Sequence, residues 1–85
     1  MDTQTLDSEI RSVIEQHARL RVDVGTLPRD ADLFQAGMTS HASVNVMLGL
    51  EDAFDVEFPD QMLKRSVFES IAAISEALAE LQAQN

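Results

Sequence analysis

Gly37-Met38-Thr39-Ser40-His41-Ala42-Ser43-Val44, running on through Asn45 to Phe54, is the stretch on which the fold turns. Stepped at about 100° per residue, as an α-helix requires, residues 40–54 separate into three faces. Met47, Leu50 and Phe54, with Ser43, Val46 and Ala53, form a broad core side, and His41, Asn45 and Asp52 lie opposite. Val44 and Leu48 fall between these faces, in line with Ser40, and Glu51 and Asp55 continue the same edge. The eighteen residues from Leu33 to Leu50 carry no formal charge, yet Gln35, Thr39, Ser40, Ser43 and Asn45 exclude a membrane span. Two readings therefore stand for Val44 and Leu48: members of the core, or an exposed apolar strip beside Ser40. Gly49 weakens the helix by about 1 kcal/mol relative to Ala and suits a close approach, either of a neighbouring helix or of a partner.

A serine at a helix N-terminus is ordinarily its cap. Thr39 precedes Ser40 and can cap instead, which leaves the Ser40 hydroxyl free to point outward. Gly37, three residues earlier, suits a turn with positive φ. The free amides and dipole of a helix mouth also favour an attached phosphate.

Outward from this stretch, Leu6, Ile10, Val13, Ile14 and His17 recur at three- and four-residue spacing, which predicts a first amphipathic helix over 5–20. Thr5 or Asp7 is its candidate cap, and Arg19 and Arg21 suit its C-terminal dipole. From Arg21 to Thr39 periodicity is lost, and Gly25, Pro28, Gly37, Asp23, Asp30 and Asp32 mark a long loop. Val24, Leu27, Leu33 and Phe34 are its expected anchors, with Leu33-Phe34 tucked under the helices. After Phe54 the run to Asp60 breaks the helix, and Pro59 can open a short third helix over 60–65 with Met62 and Leu63 turned inward. Ile71, Ile74, Leu78 and Leu81 give the cleanest stripe, predicting a last helix over 70–82. Its start is either capped by Ser70 or set by a Ser66/Glu69 capping box, and Phe68 plugs the core ahead of it. The expected architecture is all-α: a four-helix bundle in one domain, 1–85, with a long loop between helices 1 and 2 and a short third helix.

Eighty-five residues suffice for one domain, and at this size only about 60% of the unfolded surface is buried. Fifteen Asp and Glu against six Lys and Arg give a formal charge of −9. Such a surface repels nucleic acid and anionic membrane and complements basic protein surfaces. There is no cysteine, hence no disulfide, thiolate metal site or cysteine nucleophile. The N-terminus has neither the basic nor the apolar region of a signal peptide, and no run approaches the ~20 apolar residues of a membrane span. We expect a cytoplasmic monomer.

His17 and His41 lack partners at metal-ligand spacing, and His41, about 100° from Ser40 on the helix, is not placed to act on its oxygen. Both are read as non-catalytic. Glu51, Asp52, Asp55, Glu57 and Asp60 form an acidic run without the spacing or glycine of a calcium loop. It is a solvated face or a docking surface for a basic partner. No catalytic residue and no metal site is expected.

Asp32-Leu33-Phe34, Gly37, Ser40, Val44, the run Leu50-Glu51-Asp52-Ala53-Phe54-Asp55-Val56-Glu57-Phe58-Pro59-Asp60 and the Ile71/Ile74 stripe resemble the acyl carrier protein family over nearly the whole chain. The family's modified serine falls on Ser40. The resemblance implies that a phosphopantetheinyl transferase moves 4′-phosphopantetheine from coenzyme A onto that hydroxyl, and that cargo rides on the arm's thiol as a thioester. It implies no catalysis by the carrier itself. Fatty-acid-synthesis members read Asp-Ser-Leu where this chain has Thr39-Ser40-His41, and place acids early in the second helix, where this chain has Ala42 and Asn45. These departures, with the Phe58-to-Ile71 follow-on, are similar to stand-alone aminoacyl carriers charged by ligases that resemble truncated class II aminoacyl-tRNA synthetases. An aminoacyl cargo is therefore preferred over a fatty-acyl or polyketide one, and an unmodified helical interaction module is the other class. Expected partners are the transferase, an amino acid or acyl ligase and a downstream acceptor enzyme. Thr39, His41, Val44, Leu48, Glu51 and Asp55 are the candidate docking residues.

Overall fold

The structure, a computed structural model, describes residues 3–18 and 20–83. Among them are α1 (Thr3–Ala18), α2 (Ser40–Phe54), a single-turn α3 (Arg65–Phe68) and α4 (Ile71–Ala83), with 3-10 turns at Val24–Thr26 and Asp60–Met62 and no strand. The bundle is built on α1, which packs against both α2 and α4.

The apolar stripes become the core as their spacing requires. Leu6, Ile10, Val13 and Ile14 of α1 and Ile71, Ile74, Leu78 and Leu81 of α4 are all buried. Helix α1 starts two residues earlier than expected, so Thr5 and Asp7 lie inside it rather than capping it. Asp7 instead pairs with Arg29 of the loop, at 2.8 and 3.2 Å, and this contact raises the Arg29 pKa further, by hydrogen bonding and by charge. Arg19 lies outside the described residues, and Arg21 falls beyond the helix end. His17 is exposed rather than part of the buried stripe.

The face of α2 that enters the core is rotated from the expected one. Ala42, Val46 and Leu50 are buried, whereas Ser43, Met47 and Phe54 are half-buried and Ala53 is exposed. The cause is the crossing at Gly49. A Cβ there would lie 2.7 Å from His17 Cδ2 and 2.9 Å from Val13 Cγ1. The missing side chain lets α1 settle on the Ala42–Val46–Gly49 side and leaves Met47 at the edge.

The long loop is tied at many points. Arg11 of α1 donates through Nη1 to the carbonyls of Val24 (2.6 Å) and Leu27 (2.7 Å). Leu33 N–H donates to Glu69 O at 2.7 Å, and Ala72 N–H, in the first turn of α4, donates to Arg29 O at 2.8 Å. Asp23 accepts from Gly25 N–H and Asp32 from the amides of Phe34 and Gln35, which spends their carboxylates on the loop's own turns. Val24, Leu33 and Met38 are buried beneath it.

The expected third helix over 60–65 is two pieces. A 3-10 turn carries Met62 inward, the chain extends through Lys64 (φ −131, ψ 154), and α3 then delivers Phe68 to the core. Its ring meets Phe58 edge-on at 5.3 Å. A continuous helix would not bury both Met62 and Phe68 while turning Leu63 out; Leu63, expected inside, is 47% exposed. Ser70, not the Ser66/Glu69 pair, starts α4, its hydroxyl accepting from Ala73 N–H at 3.0 Å.

Candidate functional site

The approach to Ser40 is fixed before the helix begins. Gly37 adopts φ 117, a conformation that a side chain would strain, and packs against Arg21. Its N–H donates to Phe34 O, Met38 N–H donates to Leu33 O at 3.0 Å, and the Met38 side chain is buried. Thr39 is then the N-cap: its backbone is extended and its hydroxyl accepts from Ala42 N–H at 3.0 Å. Ser43 Oγ donates to Ser40 O at 2.6 Å. Ser40 is thus the first helical residue and is exposed, and among the described residues nothing hydrogen-bonds its side-chain oxygen. The cap and the exposed hydroxyl belong to separate residues.

Beside that hydroxyl lies a groove of about 440 Å³. Ser40, Ser43, Val44 and Met47 of α2 form one wall; Phe34 of the loop, Leu63, Lys64 and Arg65 of the linker and α3, and Phe68 form the rest. The Arg65 guanidinium lies 4.1 Å over the Phe34 ring. No carboxylate lines the groove.

Of the six candidate docking residues, Val44 (51% exposed) and Leu48 (53%) stand out as an apolar strip running from the groove. That settles their two readings in favour of exposure. His41 is exposed at the helix start. Thr39 is exposed, but its hydroxyl is held by the cap. Glu51 is half-buried and its Oε2 accepts from Phe58 N–H at 2.8 Å, so the carboxylate has a structural task. Asp55 is exposed and ends α2 in the left-handed region, φ 53 and ψ 49. His17 lies against Gly49 and does not join His41. Among the described residues no three His, Asp or Glu side chains converge as a metal site needs. The linker wall of the groove was not legible from helical periodicity. Its one signal is Lys64-Arg65, an adjacent basic pair in an acidic chain.

Residues 9–78 match the family model for the phosphopantetheine attachment site. The chain belongs to that family. It is a carrier protein, and members of the family bear a covalently attached phosphopantetheine. This carrier is 44% identical to the aminoacyl carrier protein of Agrobacterium fabrum over 73 residues, 86% of this chain and 88% of that one. Its fold is similar to a chain in the crystal structure of an engineered Bradyrhizobium japonicum glycine:[carrier protein] ligase complexed with carrier protein from Agrobacterium tumefaciens and ATP. There the TM-score is 0.85 at 43% identity, covering 88% of this chain and 97% of the other. A solution structure from Agrobacterium tumefaciens matches with TM-score 0.72 and 42% identity over 91% and 93%. The acyl-carrier-like all-α fold expected from sequence is thereby established. The geometry fits the family's prosthetic group: an unengaged, exposed hydroxyl at a helix mouth, next to a groove whose charged side chains are cations. None of the described helices is long and apolar enough to cross a membrane.

Proposed function

We infer that this carrier holds an aminoacyl group as a thioester on a 4′-phosphopantetheine arm joined to Ser40 Oγ. The observation that carries the reading is the free, exposed Ser40 hydroxyl, released from capping by Thr39, within the stretch matched to the attachment-site family. The arm supplies the thiol that a chain without cysteine lacks. The chain's own part is to present Ser40 to a phosphopantetheinyl transferase, and the arm to a ligase and an acceptor enzyme, from a rigid helix start. The aminoacyl preference rests on the similarity to the aminoacyl carrier, whose genus also supplies the carrier complexed with a glycine ligase. The exposed Val44–Leu48 strip beside Ser40, flanked by His41 and Asp55, is the surface we assign to docking. Thr39 and Glu51 contribute there chiefly by holding the backbone.

The test is to incubate the protein with coenzyme A and a broad-specificity phosphopantetheinyl transferase and weigh the product. Wild type should gain the arm and Ser40→Ala should not; arm gain by the variant overturns the assignment. The holo-protein is then offered to amino acid and acyl ligases in parallel. Loading by acyl ligases alone overturns the aminoacyl cargo and favours the fatty-acyl or polyketide alternative.

A further inference from the structure

Lys64 and Arg65 are out of keeping with the charge of the molecule. The chain carries −9, and two of its other cations are committed elsewhere. Arg11 holds two loop carbonyls and Arg29 holds Asp7. Lys64 and Arg65 are adjacent and exposed, and among the described residues neither pairs with a carboxylate. Both line the groove that Ser40 lines, and no acid shares it. Arg65 is also placed: its guanidinium carbon lies 4.1 Å over the Phe34 ring, a cation–π contact that uses no N–H donor. Lys64 sits on the ridge between this groove and a neighbouring hollow lined by Glu76 and Glu80, so it can serve either side.

Two cations facing a groove of apolar side chains and two serines, in an acidic protein, call for an anion. A group joined through Ser40 Oγ brings one, a phosphodiester, at the mouth of that groove. We propose that Arg65, assisted by Lys64, is a positioning residue that holds the phosphodiester of the Ser40-linked arm and so lays the start of the arm along the groove. Guanidinium pairs with phosphate oxygens by charge-assisted hydrogen bonds in a geometry its planar fork matches. The inference rests on Ser40 being the attachment residue. It adds a role for a segment on the far wall, outside α2.

The experiment compares apo and holo forms of wild type, Arg65→Gln, Lys64→Gln, the double variant and Arg65→Lys. Mass confirms the arm in each holo sample, so a failure of attachment is seen separately from a failure of the clamp. The readouts are backbone amide shifts of residues 63–68 on going from apo to holo, and the line width of the arm's phosphorus resonance. In wild type, attachment should shift these amides and broaden the phosphorus line, with both effects fading as salt rises. The double variant should lose both, Arg65→Gln more of them than Lys64→Gln, and Arg65→Lys should keep part. Circular dichroism establishes that each variant is folded. Shifts confined to α2 in holo wild type, or a phosphorus line identical in wild type and the folded double variant, overturn the proposal. Amides 63–68 that respond only when a ligase is added overturn it too, because they assign the cations to a partner's acid.

Discussion

At Ser40 the local problem is that one residue type serves two ends. A serine at the N-cap folds its hydroxyl back onto the amides of the first turn, and a hydroxyl so engaged is a poor target for modification. The chain separates the tasks by putting Thr39 one position ahead, where its oxygen takes Ala42 N–H. Removing it leaves a helix amide without its partner. Thr39→Ala should therefore cost about 1 kcal/mol of stability, read from urea denaturation. It should also slow arm transfer, because the start of α2 that presents Ser40 frays. Stability lost without any change in transfer rate would separate the two effects and refute the link between them. Glu51 is the counterpart at the other end of α2. Its sequence position suggested a docking acid, and its carboxylate is turned to the Phe58 amide. A hydrogen bond of this kind joins residues seven apart in a non-helical turn, so no periodic pattern announces it.

Helix α2 was legible in extent and only partly in orientation. Its span, 40–54, is the one expected, because the cap, the turn at Gly37 and the break after Phe54 are all local signals. Which face lies inward depends on what lies across it, and that is decided at Gly49. Gly49→Ala raises intrinsic helix propensity by about 1 kcal/mol, yet its methyl would enter the space held by Val13 and the His17 ring. His17 is exposed and can move; Val13 is buried and cannot without disturbing the core. Overpacking of this sort costs about 1–3 kcal/mol, so the variant should melt lower than wild type, and a gain in melting temperature would show that the crossing can relax. The opposite face behaves differently. Val44→Glu and Leu48→Glu, at half-exposed positions, should stay within about 0.5 kcal/mol of wild type in chemical denaturation. In ligase charging they should raise the Michaelis constant for the carrier. Unfolding in either variant would place these side chains in the core.

Across the whole molecule, the decisive feature is how a long connection is kept from being slack. Among its described residues, the segment between α1 and α2 has one 3-10 turn and no other regular element, and ordering such a segment costs backbone entropy of about 1–2 kcal/mol per residue. Burial of Val24, Leu33 and Met38 offsets part of that cost. The rest comes from side-chain and backbone bonds to both ends of the bundle. Arg11 is the main clasp, and charged hydrogen bonds are worth about 1.5–3 kcal/mol each when lost. Arg11→Gln removes both of its bonds and should destabilise the fold by at least the value of one such bond, and it should speed hydrogen exchange at Gly25 to Leu27 before α4 is affected. Exchange that accelerates uniformly over the chain would argue against a local clasp.

The class, the number of helices, the extent of α2 and the exposure of Ser40 behind a separate cap were legible in the chain before it was folded. All of these follow from spacing, capping and turn chemistry within a few residues. Leu6 to Ile14 and Ile71 to Leu81 entered the core as their stripes demanded, for the same reason. Tertiary structure alone decided the rotation of α2, the division of the third helix, the outward turn of Leu63 and the structural use of Asp7, Arg11 and Glu51. Each of these depends on a partner distant in the chain or on a non-helical stretch without periodicity. The groove beside Ser40 belongs to this second group. Its walls come from segments well apart in the chain, Ser40 to Met47 of α2 on one side and Phe34 with Leu63 to Phe68 on the other. Only packing around Met62 and Phe68 brings the cations Lys64 and Arg65 to face the same hollow as the serine.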